Sequence, residues 1–312
     1  MKVLVMGGTG KVGHFVSLFL HKAGEDVTIL SRGVHRERHA AVSHIPMITA
    51  DKNEEERMKE ILTSTHYTHI VDIAPSIASL THVHKYARNL THYIHCSSTG
   101  GYAPLPYIPC NEHAPYGGFC KGSGWDFKRA ADELALDLYY KEGFPATIIR
   151  PCYITGPGAF PLDNFGYRRE DFIQDVWEEN PMEIPGNGTT LLQPITSSDL
   201  AMSFLQALDH RENTLGEVYN ITLDYALTHQ RYFELNAEAL GKKIHLEYST
   251  VEAMLAKYGD KVRENDLRFF NTHMCFSNAK ARRDMNFNPA YTPEEAVIEN
   301  ALWAARKLGL IS

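Results

Sequence analysis

The chain begins with a short apolar strand that runs directly into a turn with three evenly spaced glycines. Residues 3–13 read Val-Leu-Val-Met-Gly-Gly-Thr-Gly-Lys-Val-Gly, and an apolar helical stretch follows over residues 15–22. In such a turn Gly7 permits the tight bend, Gly10 lets the backbone approach a pyrophosphate, and Gly13 lets the helix pack close to the sheet. The pyrophosphate is held by free N–H groups at the positive end of the helix. The predicted dinucleotide-binding residues of this turn are Gly7, Thr9, Gly10, Lys11, Val12 and Gly13.

Apolar, β-branched runs alternate with helical patterns through the first half of the chain, with predicted strands at residues 2–6, 26–30, 44–48, 69–73, 92–97 and 146–150. This alternation predicts an α/β fold with a doubly wound parallel sheet of the Rossmann type. It also strengthens the dinucleotide prediction, because a lone glycine turn can connect a strand and a helix without any ligand. Ligands of such sheets bind at the carboxyl ends of the strands. In this sequence those ends carry, besides the glycine turn, Ser31, Arg32, Asp51, Ala74, Pro75, Ser97, Ser98 and Pro151.

The composition changes after residue 150, where Pro, Gly and aromatic residues become frequent up to residue 194. Helices are predicted at 170–179 and 198–208, the second with Ser197 or Ser198 as its N-cap, and strands at 217–221 and 243–248. We predict a dinucleotide-binding domain over residues 1–160, to which 195–225 return. Residues 161–194 and 226–312 form a smaller C-terminal substrate lobe that folds over the cofactor edge and closes a substrate cleft.

The charge balance and the absence of targeting or membrane-spanning patterns narrow the possible functions. Lys and Arg number 31 against 38 Asp and Glu, a net charge of -7 that disfavours RNA as a partner held by overall charge. The N-terminus leads into the first strand without a signal-peptide pattern, and no apolar run approaches the roughly 20 residues that span a bilayer. The five scattered cysteines lack metal-ligand spacing and indicate reduced thiols. We therefore expect a cytoplasmic protein without a membrane partner.

Sixteen histidines raise the question of a metal site. His82 and His84 are two residues apart, and on a helix such residues do not share a face. His92 and His95 are three apart at the start of a predicted strand, where side chains at that spacing point to opposite faces. We predict no metal site and interpret these histidines as solvated or hydrogen-bonded side chains.

Several short motifs follow one another in a specific order along the chain. They are residues 7–13, Asp51, residues 95–102, residues 149–151 with 156–158, residues 185–188, and residues 198–201. In this order and spacing the chain resembles the extended short-chain dehydrogenase/reductase superfamily, in its NAD-dependent epimerase/dehydratase group. Stretches 150–151, 169–172, 184–188 and 269–284 are most similar to the atypical branch that includes chloroplast stem-loop-binding proteins. The resemblance implies that Asp51 contacts the adenine amine and that Ala74 and Pro75 pass beneath the adenosine ribose.

The end of the second strand bears on which cofactor binds. Enzymes that use NAD usually place an acid there, whereas this chain has Ser31 followed by Arg32. Serine removes the charge that would repel a 2′-phosphate, and a guanidinium can bind phosphate bidentately. Arg36 and Arg38 are near enough in sequence to help. We favour NADP(H) over NAD(H), although an Arg32 that only stacks on the adenine would suit either cofactor.

The resemblance implies a catalytic set of a Ser or Thr, a Tyr and a Lys, in which the tyrosine is the acid/base and the lysine lowers its pKa. Ser98 matches the hydroxyl position and Lys128 matches the lysine, which also holds the nicotinamide ribose. Four residues before that lysine, where the tyrosine is expected one helical turn away, stands Gly124. Glycine cannot transfer a proton, so either another acid serves or the chain performs no redox chemistry.

Four side chains could replace the missing tyrosine: Tyr102, Tyr116, Lys121 and Tyr153. Tyr102 follows Ser98 on one loop, and Tyr153 follows the sixth strand near the expected nicotinamide. We place these two tyrosines with Ser98 and Lys128 in the candidate catalytic set. For each of the four possible replacements a structural role is more common than a catalytic one. The resemblance also implies an asparagine at position 153 in nucleotide-sugar enzymes, so Tyr153 argues against such a substrate.

Three functions therefore remain open. The first is an NADP(H)-dependent oxidoreductase acting on a small or medium carbonyl or alcohol substrate, since hydride transfer depends mostly on positioning. The second is a non-catalytic dinucleotide-fold protein that binds RNA or another protein. The third is a nucleotide-sugar epimerase or dehydratase. A homodimer, paired partly through residues 126–141, is an expectation from the resemblance.

Overall fold

A computed structural model of the protein describes residues 1–34, 40–119 and 121–312. Its strands are β1 (Lys2–Met6), β2 (Asp26–Ser31), β3 (Met47–Thr49), β4 (His69–Asp72), β5 (His92–Cys96), β6 (Ala146–Pro151), β7 (Tyr153–Thr155), β8 (Met182–Pro185), β9 (Leu191–Leu192), β10 (Pro194–Thr196), β11 (Val218–Ile221), β12 (Leu227–Thr228) and β13 (Leu246–Ser249). Among the described residues, a central sheet has seven strands in the order β3-β2-β1-β4-β5-β6-β11, all parallel. The predicted doubly wound α/β fold is confirmed.

The central strands form because their apolar side chains are buried on both faces of the sheet. In β1, Val5 pairs with Ile29 of β2 on one side and with Val71 of β4 on the other, and all three are fully buried. Burying a side chain of this size stabilises the fold by about 1.5–3 kcal/mol relative to leaving it exposed. A sheet covered on both faces needs such continuous apolar strands rather than alternating ones.

Two layers of helices provide this cover. The helices are α1 (Gly13–Lys22), α2 (Glu55–Ser64), α3 (Ile77–Tyr86), α4 (Gly124–Glu142), α5 (Asp171–Trp177), α6 (Ser197–Asp209), α7 (Arg211–Thr214), α8 (His229–Ala239), α9 (Val251–Tyr258), α10 (Glu264–Phe270), α11 (Ala279–Met285) and α12 (Pro293–Lys307). Helices α2, α3 and α4 lie side by side on one face, and α1 and α6 pack together on the other. No helix in the described segments combines the length and apolar character that a bilayer crossing requires.

A second hydrophobic cluster lies outside the central sheet, in the C-terminal part of the chain. Helices α5, α8 and α12 pack around buried side chains such as Phe172 and Phe233. Strand β13 pairs in parallel with β8, so residues far apart in sequence meet there. Strand β11, in contrast, returns to the central sheet beside β6, as the pattern at 217–221 predicts.

Several element boundaries differ from the prediction, among them the strand predicted at 243–248, which the structure has at Leu246–Ser249, and two of the differences have a clear local cause. The third strand begins at Met47 rather than at residue 44, because His44 and Ile45 belong to a turn closed by a hydrogen bond from the Ile45 amide to the Val42 carbonyl. The N-cap of α6 is Thr196 rather than Ser197 or Ser198, since its hydroxyl oxygen accepts a hydrogen bond from the Asp199 amide. Both differences shift an element boundary by a few residues and leave the topology unchanged.

The strand order reverses between β1 and β4, from which the two halves of the sheet extend in opposite directions. At such a point the connections leave the sheet on opposite faces, which opens a crevice at the carboxyl ends of the strands. The glycine turn after β1 and the loop after β5 therefore come to the same edge of the sheet.

Candidate functional site

Two cavities lie along the carboxyl edge of the sheet. The first, here called the glycine-turn cavity, has a volume of about 310 Å³, and its lining includes Gly7, Thr9, Gly10, Ser31, Arg32, Asp51 and Ala74. The second, the Ser98 cavity, has a volume of about 390 Å³ and lies between the sheet edge and the C-terminal part of the chain. Its lining includes Ser98, Gly100, Trp125, Tyr153, Arg168, Arg263, Asp266, Phe269, Met274 and Phe276.

The glycine turn has the geometry that a pyrophosphate site requires. Gly7 has a φ of +83°, a conformation that side chains rarely allow, and its carbonyl accepts a hydrogen bond from the Gly10 amide. A Cβ on Gly13 would lie 2.9 Å from the Gly8 Cα, so only glycine permits this approach of α1 to the turn. Val12 is the N-cap of α1 and supplies no side-chain hydrogen bond to the first turn. The turn therefore fits a dinucleotide, which would be held at the α1 N-terminus.

The end of β2 forms the far wall of the glycine-turn cavity. The Ser31 hydroxyl lies 2.6 Å from the Thr9 hydroxyl and accepts a hydrogen bond from the Gly33 amide. Arg32 lines the cavity beside it. Arg36 and Arg38, the other predicted phosphate ligands, lie outside the described residues. On the described residues, this wall carries a cation and no acid at the end of β2.

The floor of the same cavity is fixed by polar contacts after β3 and β4. The Asp51 carboxylate accepts hydrogen bonds from the Asn53 backbone and side chain. The Ala74 amide donates to the Asp72 carboxylate, which also forms an ion pair with Lys52. Asp51 and Ala74 line the cavity, and the buried Pro75 follows directly behind. These contacts hold the loops where the resemblance places the adenosine.

At the Ser98 cavity, two predicted residues come together at the end of β5. The Ser98 hydroxyl oxygen accepts a hydrogen bond from the Gly100 amide at 3.1 Å, which leaves its proton available to a ligand. The Lys128 ammonium donates to the carbonyls of Cys96 and Ser97, at 3.2 and 3.0 Å. An ammonium has three N–H donors, so one remains after these two bonds. The lysine is thus anchored at the sheet edge beside Ser98.

Gly124 is the first residue of α4 and is exposed. A Cβ at this position would meet no atom within 4 Å, so the space where a tyrosine is expected is open. The next residue, Trp125, forms a wall of the Ser98 cavity instead. Its ring stacks on that of Phe269 from α10, with centroids 4.1 Å apart. The stack joins the dinucleotide-binding half to the C-terminal part of the chain.

Beneath the cavity lies a buried charge network centred on Asp132 in α4. This carboxylate is 1% exposed and accepts hydrogen bonds from Arg150 at 2.9 Å and from the Ser97 hydroxyl at 2.8 Å, while the His95 ring lies 2.8 Å away. Burial disfavours the charged form of Asp132. The hydrogen bond with His95 and the charge of Arg150 outweigh burial and hold the pKa of the carboxyl below its usual value.

The structure does not bring the predicted substitute acids to one point. Tyr102 is 1% exposed, donates to Asn220, accepts from Arg150 and does not line the Ser98 cavity. Burial raises the pKa of its hydroxyl to about 12, against the opposing charge of Arg150. The hydroxyl of Tyr116 likewise donates to Asp132. Both tyrosines therefore belong to the buried network, and Tyr102 does not occupy the catalytic position expected from its sequence neighbours.

Tyr153 does line the cavity, but its hydroxyl is hydrogen-bonded within the protein. The hydroxyl accepts from the Leu162 amide and lies 3.2 Å from the hydroxyl of Tyr232, which itself donates to the Leu162 carbonyl. Because its hydroxyl is bonded to these two partners, Tyr153 has no free proton to donate to a ligand in the cavity. Lys121 is exposed on the loop before α4 and does not line the cavity.

The remaining predicted residues have supporting places. Ser97 is buried with its hydroxyl on Asp132, and the Pro151 carbonyl accepts a hydrogen bond from Thr99. Lys11 is half-buried and close enough to the Cys96 thiol to act on it electrostatically. Neither Trp125 nor the Asp132 network was found from the sequence. The available signal in the sequence was Arg150, a charged residue at the end of the apolar strand β6. A buried positive charge needs a buried partner of opposite charge.

The histidines raised as metal ligands have other partners. His92 Nε2 lies 2.7 Å from the Thr147 hydroxyl, His95 contacts Asp132, and His82 Nδ1 lies 3.1 Å from the Lys52 carbonyl oxygen. There is no group of three or more His, Cys, Asp or Glu side chains that could hold a metal ion within residues 1–34, 40–119 and 121–312. The contacts agree with the interpretation of these histidines as hydrogen-bonded side chains.

Comparison with known proteins gives consistent matches along the chain. A sequence model of the NAD dependent epimerase/dehydratase family matches residues 3–222. Chloroplast stem-loop binding protein of 41 kDa b from Arabidopsis thaliana is 25% identical over 313 residues, which cover 96% of this chain and 78% of that protein. UDP-glucose 4-epimerase from Corynebacterium glutamicum is 21% identical over 340 residues, which cover 97% of this chain and 95% of that enzyme.

A solved structure shares the fold at lower sequence identity. UDP-glucose-4-epimerase from Stenotrophomonas maltophila, determined with bound NAD and formylated UDP-arabinopyranose, has a TM-score of 0.79 to this chain. The two chains are 15% identical and each is covered to 100%. At this identity the similarity establishes the common fold.

The Asp132 network generates a stability prediction. Replacing Asp132 by Asn leaves the buried Arg150 without its counter-charge, which we expect to lower the free energy of unfolding by about 3–5 kcal/mol in urea titrations. Asp137→Asn, an exposed acid on the same helix paired with Lys141, should change it by less than about 0.5 kcal/mol. Equal effects of the two variants would contradict the assigned role.

The pH dependence has a definite sign. Because the folded pKa of Asp132 is depressed, its contribution is complete above the unfolded carboxyl pKa of about 4 and is lost as the pH falls through the lower folded value. The difference in the free energy of unfolding between the wild type and Asp132→Asn should therefore disappear only at acidic pH.

Proposed function

Because this chain belongs to the NAD dependent epimerase/dehydratase family, as its motifs predict, we propose that it is an NADP(H)-dependent oxidoreductase. Its substrate is a small or medium-sized carbonyl compound or the corresponding alcohol. The observation that carries the proposal is the pair of cavities at the carboxyl edge of the sheet. One has the glycine turn and Arg32 for a dinucleotide phosphate. Ser98 lines the other, and Lys128 is anchored next to Ser98 through the Ser97 carbonyl.

When bound, the nicotinamide cofactor supplies or accepts the hydride. The protein side chains position the substrate oxygen and its proton. Ser98 donates its hydroxyl proton to the substrate oxygen as a hydrogen bond, since its own oxygen is already held by Gly100. Lys128 contributes a fixed positive charge at the same edge, which favours negative charge developing on that oxygen. The proton itself comes from water.

The preference for NADP(H) rests on charge at the end of β2. Among the described residues that follow the strand, 32–34, there is no carboxylate, and the Ser31 hydroxyl, which lies 2.6 Å from that of Thr9, carries no charge. Arg32 supplies the cation that a 2′-phosphate would need. An NAD enzyme would instead use an acid at this position to accept hydrogen bonds from the ribose.

Calorimetric titration of NADPH and NADH tests the cofactor. We expect the cofactor-free protein to bind NADPH at least tenfold more tightly, which is about 1.4 kcal/mol. Arg32→Ala should abolish that preference while leaving NADH affinity nearly unchanged. Arg88→Ala, which removes an arginine outside the glycine-turn cavity, is the control. Preference for NADH in the wild type would overturn the assignment, and failure to bind either would overturn the oxidoreductase proposal itself.

Introducing a tyrosine at position 124 tests whether the missing phenol limits catalysis. Because a side chain has room there, Gly124→Tyr should place a phenol one helical turn from Lys128 and raise kcat for carbonyl reduction by roughly tenfold or more. Gly124→Phe adds the same ring without the hydroxyl and should give no such increase. Turnover is followed by the loss of NADPH fluorescence. A similar change in both variants would show that the hydroxyl has no acid role.

Binding of stem-loop RNA is a second candidate, since the similar Arabidopsis protein is named for it. The net charge of -7 opposes it, because RNA affinity depends on neutralising phosphates with Lys and Arg. In a gel-shift titration we expect a labelled stem-loop to dissociate as the salt is raised from low to moderate. Retention at moderate salt, with no NADPH turnover of any carbonyl, would instead favour the RNA-binding function.

A further inference from the structure

We infer that the substrate of the Ser98 cavity is a planar aromatic or conjugated aldehyde or ketone with at most one negative charge, and that Trp125 selects it. The inference rests on the proposed oxidoreductase function and names its substrate class. It is carried by three features of the cavity: the position of the indole, the aromatic character of the walls, and the pairing of the charges at the outer end.

Trp125 lies directly beside the group that would contact the substrate oxygen. A Cβ on Gly100 would be 2.6 Å from Cε2 of the indole, so the glycine is what allows the ring to approach this loop. The amide of the same Gly100 donates to the Ser98 hydroxyl. The indole and the catalytic hydroxyl therefore meet at one short loop, and a substrate whose oxygen contacts Ser98 has its adjacent carbons against the tryptophan.

The remaining inner walls present rings and hydrocarbon. Phe269 stacks on Trp125, and Phe276 and Met274 continue the same surface. Tyr153 also lines the cavity, with its hydroxyl occupied by Leu162 and Tyr232. A cavity of about 390 Å³ with such walls is of a size and character suited to one small, flat, apolar molecule. A sugar ring would leave its hydroxyls without partners there.

The charges at the outer end are mostly neutralised within the protein. Arg168 donates to the carbonyls of Phe160 and Ile154 and lies over the Tyr153 ring at 4.8 Å. Arg263 forms an ion pair with Asp266 at 2.6 Å. Two cations and one anion line this end, a net charge of +1. That balance suits an uncharged or singly anionic substrate, whereas the diphosphate of a nucleotide sugar would bring two negative charges beside Asp266.

Tryptophan fluorescence gives a direct binding test. The chain has three tryptophans, so the double variant Trp177→Phe and Trp303→Phe leaves Trp125 as the only indole. We expect benzaldehyde to quench its fluorescence, with a Kd at least tenfold lower than that of cyclohexanecarbaldehyde, which has similar size but no planar ring. UDP-glucose should give no quenching. Equal affinity for the two aldehydes, or tight binding of UDP-glucose, would overturn the inference.

Turnover separates this inference from the function on which it rests. With NADPH, Trp125→Leu should raise the KM for benzaldehyde at least tenfold, whereas Trp177→Leu, outside the cavity, should leave it unchanged. Reduction of aliphatic aldehydes without aromatic preference would overturn the substrate class and leave the oxidoreductase standing. Benzaldehyde binding at Trp125 without NADPH oxidation would support the aromatic site and overturn the oxidoreductase.

Discussion

The ion pair between Asp132 and Arg150 is the interaction on which the arrangement of the candidate site depends. The two residues are 1% and 5% exposed and connect α4 to the carboxyl end of β6. Removing either charge would leave the other buried and unpaired, so the helix and the strand are held in one relative position. Lys128 is one turn before Asp132 on the same helix, and Ser97, directly after β5, donates its hydroxyl hydrogen bond to Asp132. The pair thereby fixes the lysine above the strand end that carries Ser98.

A second set of contacts joins the sheet edge to the C-terminal part of the chain. The stacked rings of Trp125 and Phe269 line the Ser98 cavity. Cys110 forms a β-bridge with Phe276, in which the Cys110 amide donates to the Cys275 carbonyl and the Cys110 carbonyl accepts from the Ser277 amide. The Gln193 side chain accepts from the Phe276 amide, which fixes one wall of the cavity. The cavity therefore exists only where segments more than a hundred residues apart meet, and its chemistry is set by their combined side chains.

The site combines a complete dinucleotide turn with an incomplete catalytic set. The glycine turn has no tolerance for larger residues at Gly13, because a side chain there would overlap the turn itself. Position 124, in contrast, is exposed and unconstrained, so glycine there is not required by packing. Folding thus explains the glycines of the turn but not the glycine of the helix. This contrast places the distinguishing chemistry of the protein at α4 and the Ser98 cavity rather than at the cofactor turn.

The sequence by itself determined the doubly wound parallel sheet and the glycine turn. Both depend on local patterns, since buried parallel strands need continuous apolar runs and a tight phosphate turn needs glycine at fixed spacing. It also located the glycine four residues before Lys128. Only the tertiary structure decided that Tyr102 is buried against Arg150, that the Tyr153 hydroxyl is bonded to Leu162, and that Trp125 lines the cavity. A side chain's direction and partners depend on elements distant in sequence, and no local pattern records which of them will pack against it.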